Sequence, residues 1–142
     1  MRIIVLGYHT IGYRCLKYLI EEKENIVAIF THKDNPGENI FFDSMVELAR
    51  LHGIPCYTPE NINSHEWISL IEELSPDVIF SFYYRNLVSN KILDIPRLGA
   101  INLHGSLLPK YRGRCPVNWV LVNGERETGV TLHYMVENAD AG

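Results

Sequence analysis

The sequence contains no apolar run approaching the ~18 residues that a membrane-crossing helix requires, so a helical membrane protein is excluded at the outset. Cysteine is scarce. Cys15, Cys56 and Cys115 are odd in number, lie far apart and form no C-x-x-C, which argues against a disulfide framework and a zinc site. There is no excess of positive charge: 13 basic residues stand against 17 acidic ones, a net charge of −4. Nucleic acid is therefore not the favoured partner. His9, His32, His52, His65 and His133 show neither H-x-x-x-H nor H-x-H spacing, and no metal is expected. The apolar start at residues 3–6 is short and meets Gly7-Tyr8-His9 instead of a small-residue cleavage site, and no Asn-x-Ser/Thr occurs. A cytoplasmic protein without membrane insertion is the expectation.

What is present is ordinary for a globular domain: 142 residues, 46% hydrophobic and 21% charged, enough for one core. Ten glycines and seven prolines follow no period, so collagen-like and low-complexity readings fail. The hydrophobic period switches repeatedly between strand and helix. Residues 2–6, 26–30, 54–57, 78–82 and 100–103 read as short strands, and 128–135 alternates as another. Between them, Ile11, Cys15, Leu16, Leu19 and Ile20 share one helical face, with Thr10 as the expected N-cap. A turn at Asn35-Pro36-Gly37 precedes a helix from about Ser44, which Gly53 closes. Trp67, Leu70, Ile71 and Leu74 mark a third helix, residues 89–93 a short one, and residues 116–123 another that begins at Pro116. Alternation of this kind predicts a doubly wound, mostly parallel α/β sheet, with residues 1–142 as one domain. The chain stops in a loop just after a strand, so a fragment of a longer protein is expected.

Chemistry in such a sheet gathers at the carboxyl ends of its strands. The first such end, Gly7-Tyr8-His9-Thr10-Ile11-Gly12, lacks the middle glycine of a dinucleotide fingerprint and the lysine of a P-loop. Its glycines are read as packing positions ahead of phosphate binding. Asn102 and His104 stand two apart at the end of a predicted strand and so point the same way. An amide beside an imidazole offers two donors to a developing oxyanion, and the imidazole can also move a proton. The other reading is a structural histidine bonding a loop carbonyl. Asp140, in Ala139-Asp140-Ala141-Gly142, is either a turn aspartate or a carboxylate that favours the imidazolium of His104. Lys110, Arg112 and Arg114 form the densest basic cluster, suited to an anion or to a solvated loop. Tyr83-Tyr84-Arg85 can line a cleft for a flat ring.

Asn102-x-His104 followed by Ser106-Leu107-Leu108-Pro109, with Asp140 further on, resembles the 10-formyltetrahydrofolate-dependent formyltransferases. The likeness extends along the whole chain. Residues 31–38, residues 81–85 and the stretch from His104 to Glu125 resemble the branch that formylates nucleotide-linked amino sugars, above all UDP-4-amino-4-deoxy-L-arabinose in lipid A modification and polymyxin resistance. The resemblance implies a Rossmann-like fold, catalytic roles for Asn102, His104 and Asp140, and 10-formyltetrahydrofolate as co-substrate without a metal. It further implies folate contacts from Asn86, Leu87, Val88, Arg114, Val136, Glu137, Asn138, Ala139 and Asp140. The sugar would lie over residues 112–118. Cys115 stands where a small residue such as alanine is expected, and Asn86 where histidine is common. Members of the family continue beyond this aspartate with further strands and a barrel-like domain, so the parent protein is expected to carry more domains and to oligomerise.

Alternatives remain. Methionyl-tRNA formyltransferase is one, although the acidic balance disfavours it. Glycinamide ribonucleotide formyltransferase and formyltetrahydrofolate deformylase match residues 83–85 and 115–119 less well. A folate- or nucleotide-binding module without catalysis is the non-enzymatic reading.

Overall fold

Strands form where the apolar, β-branched runs stand, because a strand covered on both faces needs no polar residue. A computed structural model describes residues 1–33, 44–103 and 132–134. Within them the order is β1 (Ile3–Gly7), α1 (His9–Glu21), β2 (Ile26–Phe30), α2 (Met45–Leu51), β3 (Cys56–Tyr57), α3 (His65–Leu74), β4 (Val78–Phe82), α4 (Asn90–Leu93), β5 (Ala100–Leu103) and β6 (Leu132–Tyr134). The strands make one sheet in the order β3-β2-β1-β4-β5-β6. The first five run parallel. One row crosses all six strands: Tyr57, Phe30, Leu6, Ser81, Asn102 and His133 are successive register partners.

Strand alternation divides the core into two layers. On one face Ile3, Val5, Ile29, Val78, Phe80 and Phe82 pack with Cys15, Leu16 and Leu19 of α1 and with Met45, Leu48 and Ala49 of α2. On the other, Ile4, Leu6, Ala28, Phe30, Ile79 and Ala100 pack with Ile68 and Ile71 of α3 and with Ile92 and Leu93 of α4. Helices on both faces make the sheet doubly wound, as the alternating pattern predicts.

Two expectations need correction. Thr10 does not cap α1: Tyr8 takes the N-cap position in extended conformation, and Thr10 lies in the first turn. The reason is that β1 keeps Gly7 in the sheet, opposite Phe82, and a single residue makes the turn into the helix. The third strand is shorter than the run 54–57, because only Cys56 and Tyr57 find partners on β2. The last strand is antiparallel to β5, with Leu103 opposite Leu132 and Ile101 opposite Tyr134, so β5 ends where β6 begins. A βα alternation predicts parallel strands only where each connection crosses to the opposite end of the sheet. Ser44 behaves as expected, as the N-cap of α2 accepting from the Glu47 N–H at 3.3 Å. Ser89 caps α4 in the same way. Gly53 adopts φ +66, the left-handed turn expected at the close of α2.

The predicted turn at residues 35–37, the helix at 116–123 and the rest of the 128–135 run lie outside the described residues. Among those described, no helix is long and apolar enough to cross a membrane.

Candidate active site

In the order β3-β2-β1-β4-β5, the connections diverge between β1 and β4. Sheets of this kind place their ligand crevice beyond the carboxyl ends at such a point. Three chain segments reach that end: Gly7-Tyr8 at the close of β1, Thr31-His32 after β2, and Tyr83-Tyr84-Arg85 after β4. The Tyr8 N–H donates to the Phe82 carbonyl at 3.1 Å and ties the first segment to the third.

The two glycines of the first turn serve close approach. A Cβ on Gly12 would lie 2.9 Å from Met45 Sδ and 3.3 Å from the Phe82 carbonyl oxygen, and one on Gly7 would lie 3.1 Å from Met45 Cε. The Met45 side chain of α2 thus fills the space over the turn, and the Thr31 hydroxyl donates to its sulfur at 3.9 Å. These contacts support the packing reading of the glycines.

Over the crevice stands a stacked group drawn from all three segments. The Arg85 guanidinium lies 4.7 Å from the centroid of the Tyr8 ring. Tyr8 meets His32 edge-on at 5.3 Å, and His32 stacks on Tyr84 at 4.4 Å. Tyr83 turns the chain with φ +62, a left-handed conformation uncommon for a residue with a side chain. The Arg85 N–H donates to His32 Nε2 at 3.0 Å. That bond requires an unprotonated Nε2, so the neutral ring carries its proton on Nδ1. Burial, and secondarily the Arg85 charge, lower the His32 pKa below its ordinary 6.5. Burial pushes the Tyr84 phenol up to about 12, and its hydroxyl has no hydrogen-bond partner among the described residues. Tyr84 is therefore a neutral wall of the crevice at ordinary pH. The Cys56 thiol, raised to about 11 by burial, is likewise inert.

The lowered His32 pKa has a consequence with a definite sign. The folded chain binds fewer protons at His32 than the unfolded chain does, so His32 favours folding above about pH 6.5. That contribution is lost as the pH falls through the folded-state value. Denaturation midpoints should therefore drop between pH 7.5 and pH 5.5, and His32→Gln should flatten part of that slope. An unchanged slope in the variant would contradict the assignment.

Asn102 lies at the carboxyl end of β5, half-buried, between Ser81 of β4 and His133 of β6 in register. By alternation it continues the Ala100 face, which α3 and α4 cover. Ser81 is 2% exposed, so the neighbouring position contributes a small buried polar side chain. Of the expected folate residues, Asn86 and Leu87 are exposed, while Val88 is 2% exposed and packs in the core. The Val88 side chain is thus an anchor that ties this stretch to the core. His104, Arg114, Val136, Glu137, Asn138, Ala139 and Asp140 lie outside the described residues, as do Cys115, Lys110 and Arg112. Among the described residues no group of three His, Cys, Asp or Glu side chains could hold a metal. Sequence reasoning passed over His32 because it tested histidines for metal spacing alone. Its place directly after a parallel strand, in Phe30-Thr31-His32, was the available signal.

The sequence matches the formyl transferase family over residues 1–142. Solved structures share the fold. Phosphoribosylglycinamide formyltransferase from Bacillus halodurans is 22% identical with TM-score 0.64, the match covering 100% of this chain and 75% of that one. Glycinamide ribonucleotide transformylase 1 from Symbiobacterium toebii is 21% identical with TM-score 0.62, covering 100% and 69%. A formyltetrahydrofolate deformylase from Pseudomonas syringae is 19% identical with TM-score 0.62, covering 99% of this chain and 48% of that one.

Proposed function

The chain belongs to the formyl transferase family, and from that premise we propose that it moves the formyl group of 10-formyltetrahydrofolate onto the amine of a nucleotide-linked amino sugar. The acceptor proposed is UDP-4-amino-4-deoxy-L-arabinose. The observation that carries the catalytic part is Asn102 at the carboxyl end of β5, followed after Leu103 by His104-Gly105-Ser106-Leu107-Leu108-Pro109 in the sequence. The choice of acceptor rests on residues 31–38, 81–85 and 104–125 of the sequence. The exposed Asn86 and Leu87, beside a crevice walled by Tyr8, Tyr84 and Arg85, suit a flat, hydrogen-bonding heterocycle.

In this reading the neutral amine attacks the formyl carbon and a C–N bond forms, giving a tetrahedral intermediate. Asn102 donates to its oxyanion, and protonated His104 supplies a second donor. The bond from the formyl carbon to N10 of the folate then breaks, and His104 gives its proton to that nitrogen. Asp140 favours the imidazolium of His104. The amine nitrogen passes its proton to the His104 ring left neutral by the transfer to N10, which restores the imidazolium, and atoms balance without a covalent enzyme intermediate. The related deformylases favour a second reading, in which water takes the place of the amine.

The test supplies the protein as encoded in full with 10-formyltetrahydrofolate and follows tetrahydrofolate release. Release that requires UDP-4-amino-4-deoxy-L-arabinose and vanishes in His104→Ala is the expected result. Release with charged initiator tRNA or glycinamide ribonucleotide instead would replace the acceptor. Formate release without any amine would replace transfer by hydrolysis. Folate binding with no turnover under any condition would leave a binding module.

A further inference from the structure

From Tyr83 to Ser89 the chain belongs to neither helix nor strand, so no ladder satisfies its backbone. Its polar groups must find partners elsewhere. Two side chains, remote in sequence, supply them. His32, 53 residues away, accepts the Arg85 N–H at Nε2, 3.0 Å. Asn63 takes the other end with both halves of its amide: Nδ2 donates to the Leu87 carbonyl at 3.0 Å, and Oδ1 accepts the Ser89 N–H at 2.7 Å. Between the two attachments stand the exposed Asn86 and Leu87, and the buried Val88 pins the same stretch to the core.

Both clips are themselves fixed. The His32 ring is held between Tyr84 on one side and the edge contact with Tyr8 on the other. The Asn63 N–H donates to Asn61 Oδ1 at 3.0 Å, and the preceding Ile62 is fully buried. A side chain whose base cannot move transmits that rigidity to what it bonds.

We propose that His32 and Asn63 are positioning residues that clip the backbone of residues 85–89 through three hydrogen bonds, presenting Asn86 and Leu87 to the folate in a preformed conformation. The role rests on the reading that residues 86–88 contact the folate. Neither residue touches the reacting atoms, so each acts on folate affinity and not on the chemical step.

The measurement is the Kd of 5-formyltetrahydrofolate, which binds as a folate but does not require an acceptor, with the melting temperature of each variant taken in parallel. His32→Phe keeps the ring and deletes the acceptor, and affinity should fall about 3- to 10-fold, the worth of one intramolecular hydrogen bond. His32→Gln returns an acceptor at the same reach and should restore most of the loss. Asn63→Asp keeps the bond to Ser89 and deletes the donor to Leu87. It should cost about 3-fold by the same estimate and covers the case of a poorly folding Phe variant. Amide exchange at Arg85 should quicken in His32→Phe while the β4 amides hold. A merely structural role would lower stability in step with affinity, and Gln would not rescue one without the other. Unchanged Kd in both His32→Phe and Asn63→Asp, or a Gln variant as weak as Phe, would overturn the clip. A wild-type protein that binds no folate would instead overturn the proposed function and the role that depends on it.

Discussion

Asn102→Ala should lose about 10²–10³ in turnover while remaining folded, because removing one oxyanion donor from a preorganised site typically costs that much. The position allows such a separation of activity from stability. Asn102 is half-buried at the end of β5, outside the two apolar layers, and its backbone pairing with Ser81 and His133 does not depend on the side chain. Truncation therefore removes a donor without opening a core cavity. Asn102→Asp, nearly the same shape, should be no better than Ala, since it places a negative charge where another develops. The check is a pair of measurements on the same preparation: formyl-transfer turnover and thermal unfolding. Turnover near the wild-type rate in a folded Asn102→Ala would remove the residue from the mechanism.

Phe30→Ala should cost about 3–5 kcal/mol of stability, the usual loss for an aromatic side chain deleted from a core. Phe30 is fully buried in the layer beneath α3, with ring centroids 5.3 Å from Tyr57 and 5.9 Å from Trp67, the latter edge-on. Each ring contact adds to the area term, and the Tyr57 and Trp67 rings also meet each other at 5.4 Å, so deleting Phe30 breaks a three-ring cluster anchored on β3 and α3. Against a total of ~5–15 kcal/mol for a domain, this lowers the melting temperature by on the order of 10–20 °C. Exposed Leu51, on α2, provides the contrast: Leu51→Ala should shift the midpoint hardly at all. A melting temperature within a few degrees of wild type for Phe30→Ala would mean that the layer repacks, contrary to the close packing of the three rings.

Most of the fold is legible in the sequence, for a local reason. A strand covered on both faces is apolar almost throughout, and with Ser81 the one polar residue between them, residues 78–82 and 26–30 announce β4 and β2 to the residue. The helix stripe of Trp67, Leu70, Ile71 and Leu74 finds α3, although Ile68 and Ile71 prove to be the buried pair and the other three lie at the margin of the layer. The carboxyl-end rule alone brings Asn102 and Tyr83-Tyr84-Arg85 to the same end of the sheet. Period and composition are properties of a dozen consecutive residues, and that is the range over which a single sequence speaks.

Tertiary structure decided what depends on which strand ends become neighbours. Nothing near His32 in the chain says that its Nε2 will accept the Arg85 N–H, and nothing near Asn63 says that its amide will hold Leu87 and Ser89. Those pairings follow from β1 lying between β2 and β4, an order that hydrophobic period cannot encode. The same holds for Met45, which occupies the space above Gly7 and Gly12 that a phosphate loop would leave open. It holds too for β6, whose alternation reads identically in either direction, so that only its pairing with β5 reveals it as antiparallel. The sequence by itself determined the elements and the end of the sheet where chemistry gathers, because local patterning fixes both. The contacts that shape the candidate site are long-range, and only packing the two faces of the sheet brings their partners together.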